Sequence, residues 1–100
     1  MLEELKDLLE TNFPGKIDRV ILFGSRATSK GKEYSDYDIL VIIQGDYDWH
    51  LEDKILDLCY EIDLKYNIVT DIKVISTNEL VSVKGKQPFI QKALKEGISA

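Results

Sequence analysis

Two aspartates, Asp36 and Asp38, stand at the start of an otherwise apolar run that extends from Ile39 to Ile43. Side chains alternate between the two faces of a β-strand, so both carboxylates project to one side, with Cα atoms roughly 6.5 to 7 Å apart. Two carboxylates this close repel each other unless a cation or a donor lies between them. A divalent metal ion is the simplest solution, and oxygen ligands favour Mg²⁺ or Mn²⁺ over zinc.

A glycine–serine pair, Gly24 and Ser25, directly follows another apolar run that ends at Phe23. Glycine permits a close backbone approach and serine can cap a helical turn, which leaves backbone N–H groups free to meet an anion such as phosphate. If the two strands are neighbours, this pair faces the aspartates across a small gap. Asp71 is a third carboxylate that interrupts an apolar run, and from a neighbouring strand it would reach the same metal cluster.

The remaining sequence predicts the helices and strands that position these residues. Apolar residues recur at helical spacing in some segments, whereas other segments are short, β-branched and bounded by turn residues. Helices are predicted at residues 2–13, from Leu51 to Tyr66, from Thr77 to about Val83, and after Pro88. Strands are predicted at residues 17–23, 36–43 and 68–75, with a loop at residues 28–35. This order predicts an α+β fold with two layers, a small mixed β-sheet and helices packed on it.

Helix-capping residues support these boundaries. Asp46 or Asp48 is available to cap the start of the second helix. Ser76 and Glu79 have the spacing of a capping box, and Gly97 is expected to end the last helix.

The composition indicates one globular domain. The chain has 100 residues, of which 44% are hydrophobic and 31% are charged, and no shift in composition divides it. The net charge of −5 argues against general nucleic-acid binding, which needs a basic surface. A single cysteine, the absence of a signal-peptide pattern and the lack of a long apolar run predict a cytoplasmic protein with no membrane association.

The combined motif resembles a known family. Gly24-Ser25, ten further residues, Asp36-Tyr37-Asp38 within an apolar run, and Asp71 in a later strand resemble the nucleotidyltransferase superfamily of DNA polymerase β. The compact size most resembles its minimal nucleotidyltransferases, which are often antitoxin partners of HEPN-domain proteins. The resemblance covers roughly residues 17–76 and implies the polymerase β-like fold, with residues 1–100 as a single nucleotidyltransferase domain.

The resemblance also implies catalysis by two Mg²⁺ ions, or Mn²⁺ in their place. Asp36 and Asp38 would bind both ions, and Asp71 would hold the ion that activates an acceptor hydroxyl. In-line attack on the α phosphorus of the nucleotide would release pyrophosphate and leave a nucleoside monophosphate on the acceptor. For the minimal group, the implied reaction is transfer of AMP from ATP to a tyrosine of the HEPN toxin.

Nucleotide binding is implied for the glycine–serine segment. Gly24 and Ser25 would bind the β and γ phosphates. Arg26 could reach a phosphate or the HEPN partner, and a structural salt bridge is an equal alternative for it.

Other interpretations of these residues remain open. Asp36 and Asp38 could belong to a solvated loop, and Asp71 could be an exposed strand residue paired with Lys73. The chain could also be a non-catalytic antitoxin that masks its partner by contact, or an enzyme that modifies a small molecule such as an aminoglycoside. The last class is the weaker alternative, because such enzymes usually carry a second domain to hold the acceptor.

Four further residues have structural interpretations. Cys59 lies on the apolar stripe of the second helix and is expected in the core, whereas His50 is expected at the surface. Tyr47 and Trp49 are expected to pack near the start of that helix.

Overall fold

A computed structural model of the chain describes residues 1–23, 37–82 and 86–100, with the backbone only for Phe89. These residues form four helices and four strands. The helices are α1 (Leu2–Asn12), α2 (Trp49–Tyr66), α3 (Thr77–Leu80) and α4 (Pro88–Glu96). The strands are β1 (Ile17–Phe23), β2 (Tyr37–Ile43), β3 (Thr70–Ser76) and β4 (Ile98–Ser99). No helix within the described ranges combines the length and the apolar character needed to cross a membrane.

The strands form one mixed sheet in the order β3-β2-β1-β4. β1 is antiparallel to both of its neighbours, β2 and β4, whereas β2 and β3 are parallel. Parallel neighbours need a crossover connection, and α2 provides it between β2 and β3. The predicted α+β class and mixed sheet are therefore confirmed.

β2 lies at the centre of the core, and its residues from Ile39 to Ile43 are fully buried. Ile39, Val41 and Ile43 contact one cluster, to which α1 and α2 contribute Leu5, Leu9, Ile55, Cys59 and Ile62. Leu40 and Ile42 contact a second cluster on the other face, with Ile21, Phe23, Ile75, Ile90 and Ala93. Helices thus cover both faces of the sheet, so α4 adds a third layer to the two that the sequence predicted. Cover on both faces explains why β2 is apolar at five consecutive positions.

Two predicted caps are present. Asp48 Oδ1 accepts a hydrogen bond from the Leu51 N–H at 3.0 Å, and this bond is the main reason that the pKa of Asp48 is lowered. Ser76 and Glu79 form the full capping box, with both side-chain-to-backbone bonds at 3.0 Å. Asp46, the alternative cap, instead accepts a bond from the Asn78 side chain at 2.8 Å.

The structure confirms the predicted positions of Cys59 in the core and His50 at the surface. Cys59 is buried, and burial is the main reason that the pKa of its thiol is raised to about 12. His50 lies at the surface.

The aromatic residues near the start of α2 differ from each other. Tyr47 packs against the α1–α2 cluster and donates a hydrogen bond from its hydroxyl to the Val74 carbonyl at 3.1 Å. Trp49 was expected to pack in the same way, but this is wrong, because 68% of its surface is exposed and its ring stacks on His50.

The sequence did not predict β4, which follows directly after the expected helix stop at Gly97. β4 has only two residues, and it pairs with the middle of β1 through Ile21 and Leu22. The Ala100 N–H extends the pairing with a bond to the Val20 carbonyl at 3.0 Å. So short a strand has no recognisable alternation of apolar and polar residues, so only tertiary contacts define it.

Gly97 allows α4 to turn into β4 at a point of close contact. Its N–H bonds the Ala93 carbonyl at 2.9 Å, which ends the helix. A Cβ atom at this position would collide with the Ala93 carbonyl oxygen and with Ile21 Cγ2. The backbone conformation itself is ordinary, with φ of −73°, so the requirement for glycine is steric.

Replacing Gly97 with Ala should destabilise the domain, because the added methyl group forces α4 and β4 away from β1. We expect the free energy of unfolding to fall by about 1–3 kcal/mol in urea denaturation, the usual effect of overpacking. Glu96→Ala, at an exposed position one residue earlier, is the control and should stay within about 0.5 kcal/mol of the parent. A Gly97→Ala protein as stable as that control would contradict this packing.

Candidate functional site

Asp38 and Asp71 lie side by side on neighbouring strands. In the parallel register of β2 and β3, Asp38 is the direct partner of Asp71. Adjacent strands are about 4.8 Å apart, and partner residues project to the same face. Alternation from Leu40 and Ile75 places both carboxylates on the face that α4 covers. Two of the three predicted metal-binding aspartates therefore converge.

The other predicted site residues lie outside the described ranges. Gly24, Ser25, Arg26 and Asp36 all belong to residues 24–36. Phe23, the last residue of β1, is the direct partner of Asp38 in the antiparallel register. The predicted nucleotide-binding segment therefore begins, in the sequence, one residue after the position opposite Asp38. The roles of these four residues stay predictions.

The turn between α2 and β3 fixes the position of Asp71. α2 ends at Tyr66 and is followed by its C-cap, Asn67, which adopts the left-handed conformation with φ of 53°. Asp63 then binds both sides of the turn: its carbonyl accepts the Ile68 N–H at 3.0 Å, and its carboxylate accepts the Thr70 hydroxyl at 2.7 Å. β3 consequently starts at Thr70, two residues later than the predicted start at residue 68.

Sequence reasoning missed this positioning role of Asp63. One signal was available, because asparagine commonly occupies the left-handed position after a helix. No sequence pattern predicts the hydrogen bond from the Thr70 hydroxyl to the Asp63 carboxylate, because that bond depends on how α2 packs against β3.

Lys73 lies beside Asp71 on the same face of β3. Its Nζ is 3.4 Å from Asp71 Oδ1, and both side chains are about half exposed. The alternative interpretation of Asp71 as an exposed residue paired with Lys73 thus corresponds to a real contact. This contact is also compatible with a role in the site, because exposed ion pairs are weak and a stronger cation can replace the lysine.

The donor chemistry of the pair fits a hard divalent cation. Asp38 and Asp71 present carboxylate oxygens from two rigid, adjacent strands, and Asp71 is open to solvent. Mg²⁺ typically uses one or two protein carboxylates and completes its coordination with water and phosphate oxygens. Within the described ranges no cluster of three or more potential ligands forms, and the third predicted aspartate, Asp36, falls outside them.

A cavity at the opposite end of the sheet is a poor alternative site for a nucleotide. It has a volume of about 410 Å³ and lies where β2 and β3 end. Its lining includes Asp46, Asp48, Glu52 and Glu79. Four carboxylates would repel a triphosphate, and within the described ranges no three acidic side chains are grouped closely enough to hold a metal ion that would offset this repulsion.

Comparison with protein families identifies the chain. The model of the family described as polymerase β nucleotidyltransferase matches residues 3–99. The chain belongs to this family. It is therefore a nucleotidyltransferase, as the motif of aspartates and the glycine–serine pair predicted.

Two relatives of this chain come from Methanocaldococcus jannaschii, and both are named as protein adenylyltransferases. One is 35% identical over 96 residues, which cover 96% of this chain and 90% of the relative. The other is 35% identical over 69 residues, which cover 69% of this chain and 70% of the relative. The enzyme class predicted from the sequence is thus confirmed.

Solved structures share the fold of this nucleotidyltransferase. A mutant of the toxin–antitoxin MntA–HpeT, with two aspartates replaced by glutamate, superposes with a TM-score of 0.65 at 17% identity. The match covers 99% of this chain and 71% of that one. A toxin–antitoxin structure with AMP-PNP gives a TM-score of 0.62, also at 17% identity, and covers 99% of this chain and 72% of that one. Together with the family match, these structures confirm the polymerase β-like nucleotidyltransferase fold.

Lys73 should offset the repulsion between the two opposed carboxylates. We expect Lys73→Gln to lower the free energy of unfolding by roughly 0.2–1 kcal/mol at low salt, because like charges directly opposed on neighbouring strands are destabilising. Adding Asp71→Asn to this variant should restore the loss, because it removes one of the opposed charges. Urea denaturation measures both effects.

Salt dependence separates this charge effect from a loss of packing. In about 1 M NaCl, where the Debye length is about 3 Å, the difference between Lys73→Gln and the parent should shrink. Lys92→Gln, at an exposed position in α4, is the control and should have little effect. If Asp71→Asn failed to restore stability to Lys73→Gln, the two aspartates would not be electrostatically opposed.

Proposed function

We propose that this nucleotidyltransferase transfers AMP from ATP to a tyrosine hydroxyl of a HEPN-domain toxin and thereby acts as its antitoxin. The observation that carries the proposal is the register of β2 and β3, in which Asp38 is directly opposite Asp71. Nucleotidyl transfer requires stabilisation of the negative charge of a polyphosphate. Convergent carboxylates at the edge of an acidic domain can contribute to this only through bound cations.

Relatives support AMP as the transferred group and a protein as the acceptor. The two relatives from M. jannaschii are named for adenylyl transfer to protein, and one covers 96% of this chain. The toxin–antitoxin context comes from proteins that share the fold, one of them with AMP-PNP. The HEPN identity of the partner comes from the resemblance of the motif to minimal nucleotidyltransferases.

The aspartates are the proposed ligands of two Mg²⁺ ions, with Mn²⁺ as a substitute. Asp38 and Asp71 supply carboxylates from rigid strands, and Asp36 is the proposed third ligand. When bound, two divalent ions would stabilise the charge on both the attacking and the leaving oxygen of the transfer. Because paired strands already hold two of the proposed ligands, binding of the ions would require less rearrangement of the protein.

The glycine–serine segment is proposed to hold the triphosphate. Gly24 and Ser25 would bind the β and γ phosphates through backbone N–H groups, and Arg26 would add a positive charge. Residues 1–100 are proposed to act as one nucleotidyltransferase domain, without general nucleic-acid binding. The cytoplasmic location stays a prediction.

Label transfer tests the proposed reaction. The chain is incubated with Mg²⁺, its co-purified partner protein and ATP labelled on the α phosphate. We expect label on the partner, and a decrease of about 100-fold or more with Asp38→Asn or Asp71→Asn, because each removes a charged ligand from the site. Asp18→Asn, which replaces an exposed aspartate at the far end of β1, is the matched control and should retain transfer.

The same experiment distinguishes catalysis from masking by contact. If the partner stays unlabelled while the Asp38→Asn variant still neutralises it, the chain is a binding antitoxin and the proposed reaction is wrong. Label on a small molecule instead of the partner would favour the aminoglycoside-type alternative.

Ligand-linked stability tests the site without a partner. A ligand that binds only the folded state, at about ten times its Kd, stabilises a protein by about 1.4 kcal/mol, which raises the Tm of a domain this size by roughly 5 °C or more. We expect this rise with Mg²⁺ plus ATP relative to a chelator, and a smaller rise for Asp38→Asn. Asp18→Asn should match the parent. Identical melting curves with and without Mg²⁺ and ATP would count against the site.

A further inference from the structure

α2 exposes four large apolar side chains along one face. Trp49, Leu56, Tyr60 and Leu64 are 68%, 39%, 62% and 66% exposed. They are spaced by seven, four and four residues, which places them within about 80° of arc on a helix that turns 100° per residue. The stripe is about 22 Å long at 1.5 Å per residue. We define these four residues as the α2 stripe.

The α2 stripe is not the face that holds the helix in the core. The buried residues of α2 are Ile55, Cys59 and Ile62, and they contact α1 and the sheet. α2 is thus apolar on two faces, of which only one is covered within the described structure. Single exposed apolar residues are common, but four aligned ones mark an interaction surface.

Acidic residues border the α2 stripe on both sides. At 100° per residue, Glu52 and Asp63 fall on one side of it and Asp57 falls on the other, whereas Asp53 lies inside the arc, one turn after Trp49. The two lysines of α2, Lys54 and Lys65, lie on the far side of the helix, where Lys65 Nζ bonds Glu4 at 2.6 Å. The surface therefore combines exposed apolar side chains with negative charge beside and among them.

We propose that the α2 stripe is the docking surface for a protein partner that presents apolar side chains flanked by lysine or arginine, in the form of an amphipathic helix. Helices commonly bind to such surfaces through anchors at i, i+4 and i+7 spacing, and opposite charges at the border select the partner. A second copy of this chain is disfavoured, because self-association would oppose one acidic border to another.

The docking surface and the candidate catalytic residues lie on opposite sides of the sheet. The buried face of α2 contacts Ile39 and Val41, whereas Asp38 and Asp71 are on the face that α4 covers. A partner bound to the α2 stripe would consequently contact a different face of the described structure from the one that carries the aspartate pair. This inference rests on the proposed function only in requiring a protein partner, and it does not depend on catalysis.

A designed peptide tests the surface directly. The probe is an amphipathic helix of about 18 residues with a leucine stripe flanked by lysines. Two control peptides replace either the leucines with glutamines or the lysines with glutamates. Trp49 is the only tryptophan of the chain, so its fluorescence reports docking on the stripe. We expect a blue shift with the leucine–lysine peptide and affinities weaker by about tenfold or more for both controls.

Variants of the chain locate the binding site. The double variant Leu56→Gln/Leu64→Gln should weaken binding of the leucine–lysine peptide by about tenfold or more and retain the Tm of the parent, since both residues are exposed. Val81→Gln is the matched control, because Val81 is apolar and 85% exposed but lies outside α2. It should bind the peptide as the parent does.

Three outcomes would overturn the docking proposal. The first is equal binding by the double variant and the parent, and the second is equal binding of the glutamate-flanked peptide. The third is a dimer in sedimentation that Leu56→Gln/Leu64→Gln dissociates, because a second copy would then occupy the stripe. Asp38→Asn must bind the peptide normally. Peptide binding without label transfer by the parent would refute the proposed reaction and leave the docking surface intact.

Discussion

The parallel pairing of β2 with β3 is the constraint on which the site depends. Its register places Asp38 directly opposite Asp71, so two paired strands hold two negative charges side by side. Burial of Ile39 to Ile43 on both faces of the sheet stabilises β2. The core thus holds the carboxylates in an arrangement that their own repulsion opposes.

The two faces of the sheet carry different groups of residues. The face under α4 carries the aspartates and the ion pair of Lys73, whereas the face under α1 and α2 provides most of the core. α2 forms the crossover between β2 and β3. Its inner face packs in the core, and its outer face exposes the α2 stripe with acidic residues beside it. The proposed transfer to a protein needs both a reaction site and a surface that holds the protein substrate.

Local signals in the sequence predicted most of the elements, and tertiary contacts decided the rest. Helical periodicity and the capping box at Ser76 predicted α2, α3 and their boundaries to within a few residues, and the aspartate motif identified the family that the comparisons confirm. The register of Asp38 with Asp71 could not be predicted, because it depends on how two distant strands align. β4 and the exposure of Trp49 were missed for the same reason, since each depends on which surfaces meet.

Paramagnetic line broadening by Mn²⁺ tests most directly whether the paired carboxylates hold a cation. Broadening falls steeply with distance, so the affected amides identify the ligands. We expect substoichiometric Mn²⁺ to broaden the amide signals of Asp38 and Asp71 and to spare the indole signal of Trp49, which follows the opposite end of β2. Broadening confined to the acidic residues near Asp46 and Glu79, or none at Asp38 and Asp71, would contradict a cation site at the paired carboxylates.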